Sequence, residues 1–162
     1  ACLRQGSVGS VRNPLPDVGH VSSLRVGLRA MASNCDVVLV ALADQPLINT
    51  QDVADLLRAF ASRPQGTQML QPFVRGLPGN PVVFAASVAH QILASDAHVG
   101  ARQWQQAHPE GLYRWDTPNA HYRMDVDHEA DRQALEALTG QRLRWPNDLM
   151  AEKGPDSPFS VN

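Results

Sequence analysis

Three short stretches hold most of the chemistry available to this sequence. The first is Ala43-Asp44-Gln45-Pro46-Leu47, where a carboxylate closes the apolar run Val37 to Ala43 and a proline biases Gln45 away from helix. A carboxylate held there suits Mg²⁺, which takes one or two protein carboxylates and completes its octahedron with water and phosphate oxygens. Capping of the turn is the alternative use of Asp44. The second stretch is Asp125-Val126-Asp127-His128-Glu129-Ala130-Asp131. On a strand, Asp125 and Asp127 would point the same way, and either could bind a metal; alternatively, Asp127 caps a helix starting near Glu129. Asp44 and Asp127 lie far apart in the chain, so only the fold can bring them together. The third stretch is Arg75-Gly76-Leu77-Pro78-Gly79-Asn80-Pro81. Its glycines permit close backbone approach by a ligand, and Arg75 can meet an anion.

Other chemistries find little support. The six histidines (His20, His90, His98, His108, His121 and His128) form no HxxxH or HExxH pattern and read as surface or packing residues. His128 stands out only because it adjoins Asp127. Ser22 and Ser23 lack a Gly-x-Ser-x-Gly context, and Trp104, Trp115 and Trp145 are too scattered for a stacking platform. Cys2 and Cys35 are the only cysteines, without metal-ligand spacing, and read as reduced thiols of a cytoplasmic protein.

Composition narrows the class. The 162 residues are 43% apolar and 19% charged with a net charge of −2, which fits one globular domain and argues against a nucleic-acid binder. The longest apolar run has the length of a strand and is far too short for a membrane span, and no secretory leader pattern opens the chain.

The elements that must position these residues alternate between strand and helix. Asp36 to Asp44 reads as a central parallel strand buried on both faces. Leu24, Gly27, Leu28 and Met31 repeat at helical spacing, predicting a helix over Ser22 to Ser33 capped by Ser22 or Ser23. Val53, Leu56, Leu57 and Phe60 predict another, capped by Asn49 or Thr50. Further strands are expected at Met69–Val74, Pro81–Phe84, Leu112–Trp115 and Tyr122–Val126. Further helices are expected at Ala86–Leu93, Ala101–Ala107 and Glu129–Leu138. Residues 1–144 then form one three-layer α/β/α domain with a mostly parallel sheet, and residues 145–162 a flexible tail. Ligands of such sheets bind beyond the carboxyl ends of the strands, where Asp44 stands.

An ordered series of motifs, Asn13-Pro14, GHVSSLRVGL (19–28), VLVALADQP (38–46), PFVRGLPGNPVVF (72–84) and DVDHEAD (125–131), resembles the MobA-like nucleotidyltransferases. Within them it is similar to the MocA-type molybdenum cofactor cytidylyltransferases. The resemblance implies a Rossmann-like domain that transfers CMP from CTP to the terminal phosphate of molybdopterin and releases pyrophosphate. It implies Mg²⁺ on Asp44 and Asp127, with Ser23, Gln45 and Pro46 on the nucleotide side. It puts Arg75, Gly79 and Asn80 on the acceptor side. Partners would be CTP or another NTP, molybdopterin or another phosphorylated acceptor, and a client molybdoenzyme.

The family's opening loop, of the form LAAGxSxRxGxxK, has no counterpart here, since Gly6-Ser7-Val8-Gly9-Ser10 is short and no lysine follows. The G-D-x-G-A-R element is replaced by Ser95-Asp96-Ala97-His98-Val99-Gly100-Ala101-Arg102, and His128-Glu129-Ala130 stand where T-P-E is usual. The resemblance therefore implies an N-terminally incomplete domain. An exposed edge beside Asp36–Asp44 would need cover from a preceding segment, a partner chain or a rearranged N-terminus. It leaves room for a second function, a cofactor-binding or assembly module, and for a third, a guanylyltransferase or another NTP transferase.

Overall fold

A computed structural model describes residues 9–31 and 35–143. The chain divides into two compact units, Ala1–Met124 and Asp125–Asn162. The tail expected at residues 145–162 lies outside the described residues.

The larger unit is an α/β domain built on a five-stranded sheet. Its strands are β1 (Val37–Val40), β2 (Met69–Val74), β3 (Leu77–Pro78), β4 (Val82–Ala85) and β5 (Leu112–Asp116). β4 pairs antiparallel with β1 on one side and with the start of β2 on the other. β3 pairs antiparallel with the end of β2, and β5 pairs in parallel with β2. Most of the sheet, namely β1, β2 and β5, thus runs one way, with β4 reversed between β1 and β2. Pro72 is tolerated inside β2 because the β4 ladder ends at Leu70, while its carbonyl accepts the Gly79 N–H at 2.8 Å.

Strand alternation sorts the core into two layers. Val38, Met69, Val82 and Phe84 pack with Leu28 of α1 (His20–Ala30), Val88 and Ile92 of α3 (Ala86–Ala94) and Trp104 of α4 (Ala101–Ala107). The residues one step along, Leu70 and Val83, pack instead with Leu56 and Phe60 of α2 (Thr50–Ala61) and with Tyr122. That is the expected three-layer arrangement. The helical spacing of Leu56 and Phe60 works as read, and Asn49 is the α2 cap: its Oδ1 accepts from the Gln51 and Asp52 amides.

Three local expectations are corrected. The apolar run after Asp36 is paired only over Val37–Val40, and among the described residues it is an edge strand and not a central one. The cap of α1 is Gly19, whose φ of +98° suits glycine, so Ser22 and Ser23 lie in the first turn. The Ser22 hydroxyl instead donates back to the Gly19 carbonyl, and Asn13 Nδ2 donates to both serine oxygens. Tyr122–Val126 is not a strand: Ala120–Arg123 forms a 3-10 turn, opened by Asn119 Oδ1 accepting the His121 amide.

The smaller unit contains α5 (Glu129–Thr139). His128 is its cap residue, and the Asp131 carboxylate reaches back to accept from the Asp127 and His128 amides. Asp127 is therefore not the cap. Gly140, at φ +68°, ends the helix in the left-handed conformation.

Candidate functional site

The carboxyl end of β1 opens into a turn that carries Asp44 on the surface, while Gln45 beside it is only 7% exposed. Because β4 runs antiparallel to β1, with Val40 opposite Val82, the segment leading into β4 arrives at this same end of the sheet. That segment holds Gly79 and Asn80, joined to Pro81 by a cis peptide bond.

The two segments meet at one oxygen. The Tyr122 carbonyl accepts from Asn80 N at 2.8 Å and from Gln45 Nε2 at 3.2 Å, which uses both of its lone pairs. Gln45 Oε1 is buried and finds no donor among the described residues. Gly79 packs so closely that a Cβ there would overlap the same Tyr122 carbonyl oxygen. Three residues singled out from separate motifs, Gln45, Gly79 and Asn80, are thus brought together by the 3-10 turn. Gly79→Ala must displace that carbonyl and loosen both hydrogen bonds. The expected cost is about 2 kcal/mol of stability, measured by urea unfolding. Loss of less than about 0.5 kcal/mol would mean that the turn moves freely.

Behind the 3-10 turn lies a polar centre with no local signature in the sequence. Asp52, on the first turn of α2, is 3% exposed. Its carboxylate accepts from Asn49 N at 3.0 Å, Asn119 Nδ2 at 2.7 Å and His121 Nδ1 at 2.9 Å. A carboxylate only accepts, so His121 carries its proton on Nδ1 in this contact. The Tyr122 hydroxyl donates to the Asp52 backbone carbonyl at 2.8 Å. Burial beside Asp52 and Asp55 pushes the Tyr122 phenol up to about 12. Burial acts to raise the Asp52 carboxyl, but the hydrogen bonds from His121, the Asn49 backbone and Asn119 outweigh it and hold it below its ordinary value.

A lowered folded-state pKa fixes the sign of the pH dependence. The stability Asp52 contributes is complete above the unfolded carboxylate value of about 4 and is lost as pH falls through its lower folded value. Wild-type protein and Asp52→Asn are therefore expected to differ most at neutral pH. The gap should narrow steadily as acid is added, followed by urea unfolding at a series of pH values. A gap that widens in acid would contradict the assignment.

The remaining sequence-derived residues are placed as follows. Asp44 and Pro46 are exposed in the turn after β1. Arg75 is exposed at the β2–β3 turn with φ +52°, followed by Gly76 at +77°, the pattern of a tight hairpin. Ser23 is exposed on α1 beside an apolar groove along β1, its oxygen accepting from Asn13. Asp125 and Asp127 are exposed in the smaller unit, outside any strand. Among the described residues no cluster of three or more His, Cys, Asp and Glu side chains could cage a metal. A lone surface carboxylate such as Asp44 still fits Mg²⁺, whose other ligands are water and phosphate oxygens.

Residues 1–112 match the MobA-like NTP transferase domain. The chain belongs to the MobA-like NTP transferase family. Among solved structures, this MobA-like chain is similar in fold to Rv0371c of Mycobacterium tuberculosis, at 20% identity and a TM-score of 0.57 over 74% of this chain and 60% of that one. It is similar to a homologue of Rv0371c from Mycobacterium sp. strain JC1, at 22% identity and a TM-score of 0.55 over 72% of this chain and 56% of that one. It is likewise similar to a cytidylyltransferase from Leptospira borgpetersenii, at 16% identity and a TM-score of 0.57 over 75% and 56% of the two chains. The MobA-like chain thus spans less than two thirds of the length of these structures. No significant match was found among curated proteins. No helix among the described residues is long and apolar enough to cross a membrane.

Proposed function

We propose that this protein serves Mg²⁺-dependent nucleotidyl transfer, moving CMP from CTP to the terminal phosphate of a molybdopterin-type acceptor. An acceptor phosphate oxygen attacks the α-phosphorus of CTP in line. The new Pα–O bond forms as the bond from Pα to the bridging oxygen of the β-phosphate breaks, and pyrophosphate leaves. The reading rests chiefly on the meeting of the Asp44-Gln45 turn and the Gly79-Asn80 segment at the Tyr122 carbonyl. Membership of the MobA-like family supports an NTP as substrate, and a cytidylyltransferase of similar fold supports CTP among the NTPs.

In this reading Asp44 holds the metal, Ser23 and Gln45-Pro46 face the nucleotide, and Gly79 and Asn80 face the acceptor, with Arg75 meeting its charge. Asp127 keeps the metal-binding role that the family resemblance assigns to it. When bound, Mg²⁺ neutralises triphosphate charge and aligns the reacting phosphorus. Isothermal calorimetry with Mg²⁺ and CTP, against GTP and ATP, tests it directly. Selective, Mg²⁺-dependent CTP binding is expected. Preference for GTP would move the reading to a guanylyltransferase, and failure to bind any NTP would favour a cofactor-binding or assembly role.

A further inference from the structure

Asp52 is a buried carboxylate that the transfer reaction as written does not use. Its hydrogen bonds keep it ionised at neutral pH, and the group it holds is His121. The grip on that residue is double. Asp52 Oδ2 takes Nδ1–H, while Asn119 donates to Asp52 Oδ1 at 2.7 Å and accepts the His121 amide at 3.0 Å. Stitching α2 to the 3-10 turn needs only the Nδ1 edge of the ring, and an asparagine amide would serve there equally well. Yet the side chain is 37% exposed while Nδ1 lies against a buried oxygen, so the opposite edge, with Nε2, takes the exposure. The next residue, Tyr122, carries the carbonyl at which Gln45 and Asn80 meet. Gly79 and Asn80 bring no charge to that junction, whereas a phosphate monoester carries about −1.5 to −2 at neutral pH.

We propose that His121 contacts the acceptor: held by Asp52 through Nδ1, it donates Nε2–H, as an imidazolium, to the acceptor's terminal phosphate. That the phosphate belongs to an acceptor rests on the transfer reading above. Asp52 balances the imidazolium inside the protein, and the outward N–H makes a charge-assisted bond to a phosphate oxygen. Asp55, further along α2, is paired with Arg58, and Arg123 on the same 3-10 turn adds a second positive charge. No proton passes to or from the acceptor in this contact, so the in-line displacement is unchanged. A ring whose orientation is fixed by a carboxylate behind it is ready for that contact before the ligand arrives.

The test is nuclear magnetic resonance of the histidine ring nitrogens in the full 162-residue chain. Inorganic phosphate is added against potassium chloride of equal ionic strength. A saturable shift at His121 Nε2 is expected, with His20, His90, His98, His108 and His128 unmoved. His121→Asn keeps an amide N–H for Asp52 and removes Nε2. It should retain wild-type circular dichroism and bind phosphate at least about tenfold more weakly. His121→Gln, whose amide reaches towards the Nε2 position, should bind phosphate better than His121→Asn. A wild-type His121 indifferent to phosphate overturns the proposal, and so does a His121→Asn variant that binds phosphate as wild type does. Calorimetry with CTP is scored separately: a chain that ignores CTP while His121 answers to phosphate overturns the transfer reading and supports the anion contact.

Discussion

Arg25→Met is expected to destabilise the protein by about 3–5 kcal/mol, lowering the thermal midpoint by about 10 °C or more. Arg25 is 5% exposed, and among the described residues its guanidinium faces carbonyls and pairs with no carboxylate. It donates to Leu93 O and Ser95 O at 3.1 Å, to Asp96 O and Val99 O at 3.2 Å, and to Ile92 O. Those oxygens belong to the last turn of α3 and the loop after it, where a helix leaves carbonyls without partners and concentrates negative partial charge. Methionine fills similar volume but leaves several buried acceptors unpaired, each costing about 1–3 kcal/mol before relaxation. Arg25→Lys should recover only part of the loss, because an ammonium offers three donors and no planar fork. Calorimetry of the three proteins decides the matter; a methionine variant within about 1 kcal/mol of wild type would show that the loop needs no cation.

Asp44→Ala is expected to cut transfer at saturating CTP by about 100-fold or more while leaving stability within about 0.5 kcal/mol. The separation of the two effects follows from exposure, since Asp44 lies on the surface of a turn and contributes no core contact. If its carboxylate anchors the metal, the loss should shrink at high Mg²⁺, as mass action replaces the missing ligand. Pyrophosphate release by the protein, followed across a magnesium titration, measures both quantities. Unchanged turnover, or a loss that no metal concentration relieves, would remove Asp44 from the metal-binding role.

The contrast between these two residues bears on what the sequence makes legible. α2 is readable because Asn49 and the spacing of Leu56 and Phe60 are local signals, and the fold uses them as they stand. β1 is misplaced for a physical reason. Side-chain pattern reports which faces of a strand are covered, whereas central or edge position depends on backbone pairing, which side chains do not encode. Tyr122, Met124 and Val126 alternate as a strand would, yet the Tyr122 carbonyl is taken by Gln45 and Asn80 and not by a neighbouring strand. Gln45, Gly79 and Asn80 stand out because turn chemistry marks them. Asp52 and His121 do not, since each reads locally as a cap or surface residue and acquires its role only when α2 meets the 3-10 turn. Arg25 is equally silent, because an arginine on an amphipathic helix ordinarily faces water.

The reversed direction of β4 has an electrostatic consequence. Two helices follow strands of this sheet directly, α2 after β1 and α3 after β4. Since the strands run oppositely, α3 starts at the end of the sheet remote from Asp44, and of these two helices only α2 begins on the Asp44 side. The positive end of its macrodipole is already occupied: Asn49 Oδ1 holds the Gln51 and Asp52 amides, and Asp52 and Asp55 add negative charge to the opening turns. Neither of these two helices thus offers a free terminus to an anion near Asp44, and the helix start that lines one groove with Ala41 and Leu42 is that of α1 at His20.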